Sequence, residues 1–308
     1  MLCSSCGDVD VQVLRRVEVT AARRPADLVH CRSCDLLALV DPPAGQQEQN
    51  PQEAPSWLEL AYQDSFYGDT GYVDRNLHAS ELLRLTLAIG RLLGMPVSMG
   101  CDLGCGLGML ARLLRDHGHD FWGRDGYAAM ELIRPFCNPP ASAPIQCCTA
   151  FEVIEHVPDT AAFLREEVGE VPLLVFSTLM RSDGEIPPDD WWYFAFGNGQ
   201  HIRFHSRRSF GEAMRQAGLD PETLVTVNGP RHPRALHAVA RDGRWRLAFR
   251  LAAWLANRKL GWLLLPWLEP LQGLRCQIIP DHERAMALKR QRAEEASAAQ
   301  VPVPGQPV

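Results

Sequence analysis

At 308 residues with 46% hydrophobic side chains, the chain has length for roughly two domains and a sizeable core, which excludes a wholly disordered protein. Its 31 basic and 37 acidic residues leave a net −6, contrary to the broadly basic surface of a nucleic-acid binder. The sign changes along the chain: residues 1–240 hold 20 Lys and Arg against 31 Asp and Glu, a net −11, and residues 241–292 hold 11 against 4, a net +7.

The N-terminus has no basic, apolar leader pattern, so a reducing, cytoplasmic setting is expected for the ten cysteines, and disulfides are not. The most apolar run, residues 260–268, is nine residues long and contains Pro266, too short to span a bilayer.

In chain order, residues 1–40 carry two cysteine pairs around short alternating runs at 11–13 and 17–19, which predict small strands. Cys3-Ser4-Ser5-Cys6 and Cys31-Arg32-Ser33-Cys34 are two C-x2-C knuckles, the spacing that closes a four-thiolate shell around a structural Zn2+. So small a segment buries little apolar surface alone, and metal ligation would supply its folding free energy. Residues 41–55, with four prolines and four glutamines, read as a linker that would leave this zinc ribbon mechanically separate.

Residues 56–240 alternate helical and strand patterns, the mark of an α/β domain. A helix is expected over 80–93, a first strand over 97–103, a helix over 107–117 and a second strand over 119–124. Further strands are expected over 147–153 and 173–178, with a closing antiparallel pair at 224–227 and 236–240 completing a seven-stranded sheet. The interval after residue 125 is short, and Pro135-Phe136-Cys137-Asn138-Pro139-Pro140 makes a poor third strand. Residues 241–288 form a basic, Trp-rich helical region, in which Arg246, Arg250 and Arg258 line one stripe beside a leucine stripe. Two uses remain open for it: peripheral contact with the inner membrane surface, or packing within the chain or a homodimer. Residues 289–308 have the composition of a disordered tail.

Between the first strand and its helix, Asp102-Leu103-Gly104-Cys105-Gly106-Leu107-Gly108 places three glycines where backbone can approach a cofactor, and Met109 breaks the dinucleotide spacing. Asp125 ends the run Phe121-Trp122-Gly123-Arg124-Asp125, 23 residues after Asp102. This pattern resembles motif I of class I S-adenosylmethionine (SAM) methyltransferases, and Phe151-Glu152-Val153-Ile154-Glu155-His156-Val157-Pro158-Asp159 resembles their motif IV. Asp69-Thr70-Gly71 with Arg75-Asn76, and Gln200-His201-Ile202-Arg203-Phe204-His205-Ser206, are similar to segments of bacterial zinc-ribbon methyltransferases.

The resemblance implies a Rossmann-like α/β sheet with helices on both faces, and SAM held by Asp102, Gly104, Gly106, Gly108, Asp125, Glu152 and Arg75. It implies a small-molecule or sugar acceptor, such as a carrier-linked glycan precursor, and no nucleic acid. His156 and His201 are the candidate bases, each with a packing role as the alternative. His201 and His205 are expected on one side of an extended strand. The run Glu152, Glu155, His156 also resembles the divalent-cation site of ubiquinone-pathway O-methyltransferases, which adds Mg2+ to the cofactors considered. An RNA methyltransferase, or a non-catalytic protein using the ribbon for protein contacts, are the competing readings.

Overall fold

The computed structural model describes residues 2–20, 23–42, 54–61, 71–228, 235–274 and 278–299, and within them ten strands form two sheets. The N-terminal cysteine segment supplies β1 (Val11–Val19), β2 (Arg24–Cys31) and β3 (Leu37–Val40), each antiparallel to the next. Its fourth strand comes from far along the chain, since β3 pairs antiparallel with β8 (Arg203–Phe204). Val19, Leu28, Leu37 and Leu39 bury themselves against Trp57, Tyr193 and Phe204. Each such side chain contributes about 1.5–3 kcal/mol by leaving water, so the ribbon and the α/β segment share a core. The mechanical separation expected of the linker is therefore absent, although most of residues 41–55 lies outside the described residues.

The second sheet has the order β5-β4-β6-β7-β10-β9. Its parallel part is β5 (Phe121–Arg124), β4 (Gly100–Leu103), β6 (Cys147–Phe151) and β7 (Leu173–Ser177). The reversed strand β10 (Ala235–Ala240) lies between β7 and β9 (Leu224–Asn228) and is antiparallel to both. These strands read as nearly unbroken apolar runs because both sheet faces are covered. On one face lie α2 (Tyr72–Leu92), α3 (Met109–Asp116), α6 (Gly243–Asn257) and α7 (Gly261–Leu271). On the other lie α4 (Thr160–Phe163) and α5 (Arg207–Gln216), with Phe210 and Met214 packed onto Leu174 and Phe176. The short α1 (Leu58–Ala61) follows Trp57, and α8 (Ile278–Ala299) ends the described chain.

The sheet has six strands where seven were expected. Between β5 and β6 the chain makes a 3-10 turn over Glu131–Phe136 and one isolated bridge, Gly123 to Cys137. Pro135, Pro139 and Pro140 deprive that interval of the N–H donors a strand needs. Helix α2 begins eight residues before the expected position 80, because its first two turns carry exposed Val73 and Leu77 and give no buried stripe to read. Residues 289–299, assigned to a disordered tail, continue α8, for Lys, Arg, Gln, Glu and Ala are all good helix formers.

Candidate active site

The turn between β4 and α3 is built from residues held at positive φ: Gly104 at 61°, Gly106 at 57° and Gly108 at 85°. L-residues with side chains rarely adopt these values, which is the local reason for glycine at all three. Gly104 is the exposed one, and a Cβ there would stand 2.6 Å from a Val153 methyl. A Cβ at Gly108 would stand 2.3 Å from Ile133. The turn thus lies close against the chain after β6 and against the 3-10 turn that replaces the third strand.

Asp125 follows β5 and fastens this turn. One carboxylate oxygen accepts from the Gly106 amide at 2.8 Å, and the other from the amides of Tyr127 at 2.8 Å and Ala128 at 2.7 Å. Two carboxylate oxygens offer about four lone-pair positions, so three amides leave room for one further donor. Asp102 at the end of β4 is buried and accepts from the Thr149 hydroxyl at 2.6 Å. Burial pushes its carboxyl up to about 7, against the lowering effect of Thr149. It ties β4 to β6 under the turn. Above the turn lies Tyr72, whose hydroxyl is buried without a hydrogen-bond partner among the described residues, near the Leu107 and Met109 amides. Burial raises its phenol above the usual value. No motif singles out Tyr72; its only signal is its place just before Arg75-Asn76. Arg75 sits on the same turn of α2, its amide bonded to the Gly71 carbonyl at 2.9 Å, whereas Asp69 and Thr70 lie outside the described residues.

Beyond Val153 the chain turns through residues Ile154–His156 and brings Glu155, His156 and His201 together, with one ligand-capable atom of each within 4.8 Å of the others. Glu155 is fully buried, and neither carboxylate oxygen makes a close hydrogen bond among the described residues, although the Tyr193 and Thr178 hydroxyls lie near enough to favour its charged form. Burial pushes its carboxyl up to about 7. The His201 ring donates from Nδ1 to the Tyr193 carbonyl at 2.7 Å, leaving Nε2 with its lone pair. Burial lowers His201 to about 4, and burial followed by His201 itself holds His156 well below the ordinary imidazole value. The two rings stand 5.0 Å apart and perpendicular, with His156 the more exposed. Burial thus favours the neutral form of both rings. Glu152 does not join them: its carboxylate accepts from the Ser177 hydroxyl at 2.6 Å, on the β7 side of β6. The run Glu152, Glu155, His156 is therefore not one ligand set.

His205 also parts from His201. Its ring meets the Thr160 hydroxyl at 3.0 Å and the Ser209 hydroxyl at 3.2 Å, between the starts of α4 and α5. The alternation that would align the two holds only along an extended strand, and β8 is two residues long. Trp191 and Tyr193 pack into the ring cluster with Phe194 and Phe204, while Trp192 stays exposed.

Behind the histidines stands the cysteine cluster. The Cys3 and Cys34 sulfurs are 3.5 Å apart, and those of Cys6 and Cys31 3.6 Å. All four are free thiols within 4.8 Å of one another, and the Ser5 amide donates to the Cys3 sulfur at 3.4 Å. Four sulfurs bound tetrahedrally at about 2.3 Å from one ion would stand about 3.8 Å apart, so the donor set fits Zn2+. The Cys34 contact lowers the Cys3 thiol to about 5, whereas burial pushes Cys6 up to about 12 and the Cys3 contact raises Cys34, so one thiol of the cluster is set apart as the most acidic. The second knuckle is bolted to the α/β segment: Asp35, at φ 70°, pairs with buried Arg181 at 2.9 Å and accepts from the Gly184 amide at 2.9 Å. Fully buried Arg203 donates to the Pro158 carbonyl at 2.9 and 2.6 Å and to the Leu39 carbonyl at 3.3 Å. One guanidinium thus joins β3 to the segment that carries Glu155 and His156.

Residues 76–224, just under half of the chain, match the model of a family described as a methyltransferase domain. No curated protein matches the sequence. Solved structures similar to this chain include a SAM-dependent methyltransferase from Thermotoga maritima, 18% identical, with 60% of this chain on 99% of that one and a TM-score of 0.41. An O-methyltransferase family protein from Burkholderia thailandensis is 13% identical, 60% on 63%, at a TM-score of 0.42. Human N-acetylserotonin methyltransferase is 13% identical, 52% on 50%, at 0.38. The chain thus spans about half the length of that human protein. Over the matched residues, the sheet order and the glycine turn give the chain the fold of a class I methyltransferase.

Proposed function

We propose that the protein transfers the methyl group of SAM to a small-molecule or sugar acceptor that must lose a proton, a hydroxyl above all, with a carrier-linked glycan precursor as one form of it. The observation that carries this reading is the seating of Val153 against Gly104. It sets the segment bearing Glu155 and His156 directly beside the glycine turn, so that a methyl donor on the turn and a base on the segment share one cleft. The residues fit the cofactor: Gly104 is open to solvent, Asp125 retains an acceptor position for a ribose hydroxyl, and Tyr72 sets its buried hydroxyl by the Leu107 and Met109 amides at the turn. SAM bound there would supply an electrophilic methyl group.

With SAM held there, the acceptor oxygen would take the methyl group as the sulfonium becomes a thioether, and the acceptor proton would pass to a neutral imidazole. His156, the more exposed of the pair, receives it, with His201 and Glu155 behind to orient the ring and offset the new charge. Such a base contributes typically 10²- to 10⁴-fold. Zn2+ on Cys3, Cys6, Cys31 and Cys34 has a structural part in this account, holding the knuckle whose Asp35 grips Arg181. The Glu152 geometry gives no support to Mg2+.

Incubation with methyl-tritiated SAM and separate panels of sugars, phenols and RNA tests the acceptor class. Label in a sugar or phenol is the expected result, and label in RNA alone would overturn it. The net −11 of residues 1–240 argues in the same direction, because RNA affinity depends on neutralising phosphates.

A further inference from the structure

Helices α6 and α7 both pack on α2, α6 through Trp245, Phe249 and the alanines between them, and α7 through Leu265 and Glu269. Their other faces point away from the domain and are unlike the rest of its surface. Trp262 is 64% exposed, Trp267 73% and Leu271 84%, with Trp254, Leu251 and Leu263 also exposed. An apolar patch of this kind on a folded chain marks a contact surface. Its charge says with what. From residue 243 to residue 274 the only acidic side chain is Glu269, and it is turned inward onto Arg84, whose Nε and Nη2 donate to it at 2.6 Å each. Arg250 and Lys259 are exposed and form no ion pair among the described residues, and the Arg258 guanidinium lies 4.1 Å over the Trp254 ring.

We propose that the outer face of α6 and α7 is a docking surface for an anionic phospholipid bilayer. Tryptophans favour the membrane–water boundary, where the ring body is buried and the indole N–H stays wet, and basic side chains beside them meet lipid phosphates. A second copy of this chain fits less well, since the face offers no acid to oppose its own Arg250, Arg258 and Lys259. The surface does not cross the bilayer, for no helix among the described residues is long and apolar enough. Gly261, at the start of α7, rests on Glu81 and Leu85 of α2, nine residues along that helix from Tyr72. At 1.5 Å per residue the docking face begins about 14 Å from the tyrosine over the glycine turn. An acceptor held in or at the lipid surface would be within the enzyme's neighbourhood once this face is docked.

Co-sedimentation with vesicles of phosphatidylglycerol and phosphatidylcholine, and with phosphatidylcholine alone, tests the surface at low and high salt. The whole chain should pellet with the anionic vesicles at low salt and be released by high salt. Arg250→Glu with Lys259→Glu should lower partitioning by about 30-fold or more, since each basic residue near an anionic leaflet is worth about a fivefold factor. Trp262→Ser with Trp267→Ser should lower it as well and abolish a blue shift of tryptophan emission. All four positions are exposed, so unchanged thermal unfolding of both variants certifies the fold. Wild-type protein remaining in the supernatant, or variants that bind as the wild type does, would overturn the proposal. So would a lipid-free dimer at sedimentation equilibrium that the tryptophan variant splits, which would make the face a subunit interface.

Discussion

Under the proposed function Glu155 governs the acceptor side, because it is the buried carboxyl grouped with the imidazoles of His156 and His201. Glu155→Gln should leave SAM affinity intact and lower kcat by about 10²-fold, as expected for loss of the group that supports a general base. A rate limb near pH 7 in the wild type, set by a carboxyl that burial raises to about 7, should vanish in that variant. The same burial has a stability consequence. Asp102 and Glu155 both have folded pKa values near 7, above the ordinary carboxyl value, so the native state binds more protons than the unfolded chain between about pH 4 and 7. The stability these groups contribute is fully present below that window and is lost as pH rises through it. Denaturant unfolding should show stability falling across this interval, with a smaller fall in an Asp102→Asn, Glu155→Gln double variant. At this scale the local motif was legible: the glycines and Asp125 lie where their spacing placed them. The meeting of Glu155 with His201 was not, because nothing in either segment encodes the turn over Ile154–His156 or the Nδ1 bond of His201 to Tyr193. Glu152 was misplaced for the opposite reason: helical spacing put it with Glu155, but at φ 57° it leaves the strand toward Ser177.

Among the elements, the two-residue strand β8 has the largest consequence, because it completes the cysteine sheet with residues adjoining His201. Removing one partner of a buried ion pair leaves a desolvated charge and costs about 3–5 kcal/mol. Arg181→Met, which takes from Asp35 its guanidinium partner and leaves it His30 and the Gly184 amide, should therefore lower the unfolding free energy measured in urea by up to that amount. Stripping the zinc proposed here, or Cys31→Ser, should accelerate amide exchange through residues 193–204 and leave 100–124 near their native rates. Uniform acceleration of both segments would show that the metal supports the whole domain equally. The sequence revealed the four paired cysteines and hid this coupling, since β8 is too short for a strand pattern and the linker's composition spoke for separation. Elements with long apolar runs, such as β6 and β7, were placed within a residue or two, whereas the first turns of α2 carry no inward stripe to read.

For the whole molecule, the cysteine sheet, the six-stranded sheet and helices α6 and α7 are joined by buried contacts that cross the boundaries the composition had drawn near residues 40 and 240. Trp245 and Phe249 of α6 lie in the same core as Leu82 and Leu83 of α2. Truncation at residue 240 should consequently leave an unfolded or aggregated product, each lost aromatic costing about 3–5 kcal/mol. A soluble, cooperatively unfolding fragment would contradict that view of the core. The central claim is nevertheless about the cleft between the glycine turn and the Glu155 segment, and calorimetric titration with SAM and S-adenosylhomocysteine tests it most directly. The account predicts one site per chain for either ligand, weakened by about 1–3 kcal/mol in Asp125→Ala through lost charged hydrogen bonds and abolished in Gly106→Val, where a branched side chain meets a φ of 57°. Absence of binding to the zinc-loaded wild-type protein, or equal affinity in all three proteins, would contradict it.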